Sequence, residues 1–264
     1  MITSKSNPRI KAIRSLKDPK VLKKTDLFYM EGLRIVGEAI DKGSKIEMVI
    51  VSPDLLKAEY GVQLIERAEK NNIEILEVSA SVFESFAHKE NPQGLAAIGK
   101  QRFEALEHLN VMKGIVIGLT EVADPGNLGT IIRTADAVGC GGIILLGDSV
   151  SPYELSAIRG SMGAIFSQSI VRTDFQTLMN WKKEKGYQLV GTSDKSADDY
   201  VTVSYQNPMI LLMGSERQGL TDKEIKACDV AVRIPMMGSS DSLNLAVATG
   251  VMLYHIFNMQ RSRK

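Results

Sequence analysis

The chain has 264 residues, 44% of them hydrophobic and 24% charged, which fits a globular protein of one large or two modest domains and excludes disordered, collagen-like and coiled-coil classes. Cys140, Cys228 and three scattered histidines offer neither a disulfide framework nor a metal motif. No apolar run nears the ~20 residues of a membrane span, so a soluble, cytoplasmic protein with no metal and no membrane partner is expected. The net charge of +1 conceals an uneven distribution: residues 1–24 carry a net +7, the last four residues +3, and the stretch between them −9. Basic ends can meet phosphates locally whatever the total charge.

In chain order, a basic helical arm is followed by alternating short elements. Phe28–Glu31 reads as a strand and Gly32–Asp41 as an amphipathic helix with Leu33, Val36 and Ile40 on one face. Glu47–Val51 reads as a strand, Val62–Lys70 as a helix, Ile73–Val78 as a strand and Ser81–His88 as a short helix. The turn Asn91-Pro92-Gln93-Gly94 leads into a strand at Leu95–Ile98. These elements predict an α/β domain over residues 1–98. The polar stretch 99–110 is expected to be a linker, and 111–264 a second domain.

Within that second domain, strands are predicted at Gly114–Leu119, Gly142–Leu146, Gln188–Gly191, Met209–Met213 and Val230–Ile234. Helices are predicted at Asn127–Val138, Phe175–Lys185, Thr221–Ala227 and Ser242–Asn258. Continuous apolar strands separated by helices imply a parallel sheet covered on both faces, with ligands gathered at the strands' carboxyl ends.

Three loops after strands stand out. Glu121 to Ala135 holds a Pro-Gly turn into a helix whose apolar stripe turns Arg133 outward, with Asn127 placed as a helix cap. Leu211 to Leu220 ends a strand at Gly214, where glycine lets a ligand approach the backbone, and Glu216 follows. Arg233 to Gly250 opens a helix that is apolar nearly all round, with Ser242 as cap and Asn244 in its first turn. Such a helix needs cover on most faces, which points to a partner subunit. His255 reads as a core or interface side chain.

The runs D-P-G-N-L-G-T-I-I-R-T-A-D-A, M-G-S-E-R-Q-G-L and I-P-M-x-G-x-x-x-S-L-N-L-A-V-A, in this order over residues 113–258, resemble the SpoU/TrmH family of RNA ribose 2′-O-methyltransferases. The segments F-Y-M-E-G-L-R-I-V-G-E-A and N-P-Q-G-L-A-A-I look like the substrate-binding domain that many members carry. The resemblance implies an α/β protein whose parallel-sheet methyltransferase domain holds a trefoil knot, preceded by a smaller RNA-binding α/β domain. General topology rules alone predict an unknotted sheet.

The resemblance also implies S-adenosylmethionine as cofactor and a homodimer formed through the C-terminal domain. It implies an RNA substrate, with 23S rRNA first, tRNA as alternative, and a non-catalytic RNA- or ribosome-binding protein as the remaining reading. By position it gives Gly214, Ile234, Leu243, Thr192 and Met236 cofactor contacts, and Asn127, Arg133, Glu216, Ser242 and Asn244 catalytic roles. Lys5, Arg9, Lys11 and Arg14 of the arm, and the loop near Asn91, are the candidate RNA contacts.

Overall fold

The computed structural model describes residues 1–109 and 114–262. Asn110 of the expected linker and the basic pair Arg263 and Lys264 lie outside the described residues. The chain forms two compact units. One is Met1–Gln101 together with Ser151–Phe166; the other is Arg102–Val150 together with the chain from Ser167. Among the described residues no helix is long and apolar enough to cross a membrane.

The first unit is built on a four-stranded mixed sheet. Its strands are β1 (Leu27–Glu31), β2 (Ile46–Val51), β3 (Glu74–Glu77) and β4 (Leu95–Lys100), in the order β1-β4-β2-β3. β4 pairs antiparallel with both β1 and β2, and β2 pairs parallel with β3. Ile2 adds a parallel bridge to Val78 beyond β3.

The basic arm is not a free appendage. It forms α1 (Pro8–Ser15) and α2 (Pro19–Leu22), capped by Asn7 and Asp18. Ile10 and Ile13 of α1 are buried in one cluster with Phe83, Phe86, Ile50 and Val78. Next along the chain come α3 (Leu33–Asp41), α4 (Glu59–Lys70) and α5 (Ala80–Glu84).

The expected linker begins inside β4. Gly99 pairs with Phe28, and a Cβ there would come within 2.8 Å of the Phe28 ring, so strand pairing uses the residue that a composition reading assigns to a loop. Further on, Leu106 and Leu109 are buried in the core of the second unit. The domain division drawn from the sequence also misses a late segment. Residues 151–166, with α7 (Leu155–Ser161), belong to the first unit, where Leu155 packs on the same cluster as Ile10 and Tyr153 lies 4.7 Å from the Phe28 ring.

The second unit is a seven-stranded sheet in which every pair is parallel. Its strands are β5 (Ile115–Thr120), β6 (Gly142–Leu146), β7 (Ile170–Thr173), β8 (Gln188–Thr192), β9 (Asp198–Asp199), β10 (Met209–Met213) and β11 (Val230–Arg233). Their order is β7-β6-β5-β10-β8-β11-β9. β7, β9 and α7 were not legible as periodic segments, being at most seven residues long. The helices of this unit are α6 (Pro125–Ala137), α8 (Phe175–Lys185), α9 (Asp222–Ala227) and α10 (Leu245–Arg261), and α10 packs against α6. β5, β6 and β10 are buried nearly end to end, as strands covered on both faces must be.

Because α1 is seated in the core, Ile10→Ala should destabilise the protein by about 2–5 kcal/mol, the cost of emptying a packed aliphatic site. Chemical denaturation measures this, and an unchanged midpoint would mean that the arm is merely solvated.

Candidate active site

With all strands parallel, their carboxyl ends share one edge of the sheet. β10, β8 and β11 are neighbours, so Thr192, the Met213-Gly214 step and the Arg233-Ile234 step stand side by side. Thr192 Oγ1 lies 3.4 Å from Met213 Sδ. Three of the five expected cofactor residues, Thr192, Gly214 and Ile234, are thus brought together. The other two, Met236 and Leu243, lie on the segment between β11 and α10, each 37% exposed.

Gly214 is buried, and what approaches it is the chain's own backbone. A Cβ there would meet the Gly219 carbonyl carbon at 2.0 Å and Leu220 N at 2.2 Å. The loop closes on itself through Ser215 N to Gly219 O (3.2 Å) and Gly219 N to Ser215 O (3.0 Å). Glycine at 214 therefore makes this return possible, a reason the sequence did not reveal.

The return projects Glu216 toward the loop after β5. Its carboxylate accepts from Ala123 N (3.0 Å), Asp124 N (3.3 Å) and Asn127 Nδ2 (3.2 Å). The other side of the Asn127 amide, Oδ1, accepts from Asn244 Nδ2 at 2.9 Å. Asn244 Oδ1 in turn accepts from Ala246 N and Val247 N, capping α10. One continuous network thus joins Asn127, Glu216 and Asn244, one polar side chain from each of the three loops. Desolvation opposes ionisation of Glu216, but the backbone N–H groups of Ala123, of Glu216 itself and of Asp124, with the Asn127 amide, together outweigh it and hold the carboxyl below its ordinary value.

The helix starts differ from the expected ones. The cap of α6 is Asp124, accepting from Asn127 N at 2.7 Å, which frees the Asn127 side chain for the network. The cap of α10 is Asn244, not Ser242. The Asn244 oxygen takes two helix N–H groups while its amide nitrogen still donates to Asn127.

Ser242 is exposed and outside the network. Arg133 is exposed on α6, two turns beyond its start, and among the described residues has no hydrogen-bond or ion-pair partner. Further support escaped the sequence reading. Buried Glu224 closes a capping box with Thr221 and accepts from Thr120 Oγ1 (3.0 Å), pinning α9 to the end of β5. The pattern Thr221-x-x-Glu224 was the available signal.

Elsewhere, burial first, then Asp229 and Glu224, push the Cys228 thiol up to about 12, which leaves it un-ionised at neutral pH. His255 is half-buried against Tyr200 and Tyr205. Among the described residues no group of three His, Cys, Asp or Glu side chains could hold a metal.

Of the basic residues expected to touch RNA, Lys5 and Lys11 are exposed. Arg9 pairs with Glu74, and Arg14 donates to Ser85 Oγ at 2.9 Å, so both are committed within their own unit.

Residues 114–254 match the SpoU rRNA Methylase family. The chain belongs to this family. Residues 7–97 match an MRM3-like substrate binding domain. The chain is similar to the 23S rRNA (guanosine(2553)-2′-O)-methyltransferase RlmP of Bacillus subtilis, at 27% identity over 97% of this chain and 98% of that protein. It is also similar to the AdoMet-bound rRNA methyltransferase of Sinorhizobium meliloti, at 36% identity, 98% and 97% coverage and a TM-score of 0.89. A second similar structure is an RNA 2′-O ribose methyltransferase, at 30% identity, 98% coverage of both chains and a TM-score of 0.82.

Gly214→Ala should displace the loop that carries Glu216 and weaken cofactor binding by calorimetry; wild-type binding would show that the return is not needed. Asn244→Ala removes a cap and should cost about 1 kcal/mol of stability. A protein held by a carboxyl with a lowered pKa keeps that contribution at neutral pH and loses it as pH falls through and below the ordinary glutamate range. Glu216→Gln should therefore flatten the acid limb of the melting-temperature profile, and superimposable profiles would count against the network.

Proposed function

We propose that the protein is an S-adenosylmethionine-dependent enzyme that methylates a ribose 2′-oxygen of RNA, with 23S rRNA as the substrate. The observation carrying this reading is the network Asn244–Asn127–Glu216, which gathers polar groups from three separate loops beside the carboxyl ends of β8, β10 and β11. A protein that only bound RNA would have no use for that convergence next to a ligand edge. The relatives' 2′-O and rRNA names point the same way.

The residues at the edge fit the cofactor. Strand-end backbone at Gly214 and Ile234 offers donors and acceptors, and the partly exposed Met236 and Leu243 offer apolar cover for a nucleoside and thioether. When bound, the cofactor supplies an electrophilic sulfonium methyl. The chain's own residues then have two tasks, alignment of a ribose oxygen and assistance in losing its proton. Asn127 and Asn244, locked by their mutual hydrogen bond, are placed to orient polar groups of the ribose, and Glu216 holds Asn127 in that orientation.

A guanidinium is essentially always protonated, so Arg133 acts first as a phosphate ligand that lowers the pKa of the neighbouring hydroxyl. Its isolation within one protomer is supplied with a purpose if a second copy completes the site. Exposed Val247 and Tyr254, seven residues apart on α10, give the homodimer an apolar face. The trefoil knot belongs to this same proposal.

The deciding experiment incubates the protein with methyl-labelled S-adenosylmethionine and separate 23S rRNA and tRNA pools, then maps the label. Label on a 2′-oxygen of 23S rRNA is expected; label on tRNA alone would replace the substrate, and none on either would remove the activity. Arg133→Lys keeps the charge but loses the planar fork, and should lower kcat at least about tenfold. Turnover equal to wild type would exclude the proposed role.

A further inference from the structure

The first unit contains a cavity of about 500 Å³ that the methyltransferase reading does not use. It lies at the N-terminus of α3, and its lining includes Glu31, Arg34, Lys89, Gln93 and Arg159. Three features of it call for a ligand.

The first is cationic. Arg34, Lys89 and Arg159 are exposed at the cavity, and among the described residues none has an ion-pair or hydrogen-bond partner. They adjoin the first turn of α3, whose cap is Gly32, a residue with φ of +102° and no side chain to satisfy the helix N–H groups. Such a place favours a phosphate.

The second is a buried acceptor. Glu31 is only 6% exposed. Its Oε2 accepts from His88 N (2.7 Å) and Tyr29 OH (3.1 Å), but Oε1 is buried without a partner among the described residues. The nearby Lys17 ammonium does not serve it, being bonded to the Phe86 carbonyl at 2.7 Å. A buried carboxyl oxygen left without a donor is a standing cost that a ligand N–H would remove.

The third is the neighbouring amide. Gln93 is exposed, and its Oε1 would lie 3.6 Å from a Cβ at Gly32, so this amide sits over the start of α3.

We propose that this cavity receives one unstacked guanosine nucleotide of the RNA substrate. Its phosphate is held by Arg34, Lys89, Arg159 and the α3 N-terminus, and its base edge is read by Glu31 with Gln93. Guanine presents two adjacent N–H donors to a carboxyl oxygen and an O6 acceptor to an amide N–H. Adenine would set its unprotonated N1 against the same carboxyl oxygen. RNA recognition of this kind works on splayed single-stranded bases. This inference rests on the RNA-substrate reading and names which nucleotide the N-terminal unit selects. It also moves the main RNA contact from α1, whose arginines are committed internally, to α3 and α7.

The test is fluorescence anisotropy of the full chain with labelled UUGUU and UUAUU RNA. Tighter binding of the guanine oligomer by about tenfold is expected, the discrimination that one good base-edge contact gives. Glu31→Gln should abolish that preference, and its S-adenosylmethionine affinity by calorimetry serves as the folding control. Gln93→Ala, at an exposed position that the fold does not need, should reduce the preference independently. Arg159→Ala should weaken both oligomers alike.

Equal binding of the two RNAs by wild type, or a preference that survives both Glu31→Gln and Gln93→Ala, would overturn the proposal. So would displacement of both RNAs alike by inorganic phosphate with no base preference. Methyl transfer to rRNA is measured in parallel. Transfer without base preference rejects the cavity alone, whereas base preference without transfer rejects the enzymatic reading alone.

Discussion

The carboxylate of Glu216 takes three donors from the loop and first turn that follow β5, and one of those donors, the Asn127 amide, is itself held by the cap of α10. At a partly exposed carboxylate, bonds of this kind are individually modest in net terms. Their consequence is geometric. Residues 123–127, 216 and 244 come from three connections after three strands, and each connection could otherwise settle independently. An amide that donates on one side and accepts on the other permits only one arrangement of its neighbours.

This network depends on close packing beneath it. Gly214 lets the Ser215–Gly219 loop fold back until its backbone touches the strand end, and Glu224 ties the following helix to Thr120. Glu216 and Asn244 are exposed and Asn127 is half-buried, while Gly214 and Glu224 beneath them are buried. That division is the usual one for a parallel sheet, where strands form a rigid base and the carboxyl-end loops carry the variable chemistry. Arg133 stands outside the network, exposed on α6 with no side-chain partner of its own among the described residues.

The first unit follows a different logic. Its sheet is mixed, its basic helix α1 is packed by Ile10 and Ile13, and two of that helix's arginines are used internally. Charge in the sequence therefore did not separate Arg9 and Arg14, which the fold uses, from Lys5 and Lys11, which stay exposed. Arg34 on α3, Arg159 on α7 and Lys89 in the loop after α5 have no side-chain partner among the described residues, and they line one cavity together with a carboxyl oxygen that has none either. Only the folded arrangement separates a lysine or arginine that holds the protein together from one that faces outward.

The sequence by itself determined the alternation of apolar strands and amphipathic helices, the parallel character of the larger sheet, and the three loops that carry Asn127, Glu216 and Asn244. Each of these is a local matter of period, turn residues and spacing. It did not determine which residue caps α6 or α10, because Asp124, Asn127, Ser242 and Asn244 are all competent caps, and the choice falls to the network that the caps must serve. It also could not place residues 151–166 in the first unit or bring Glu31 and Arg159 to one cavity. Those depend on contacts between segments more than a hundred residues apart, whose energies arise only when the core has closed around them.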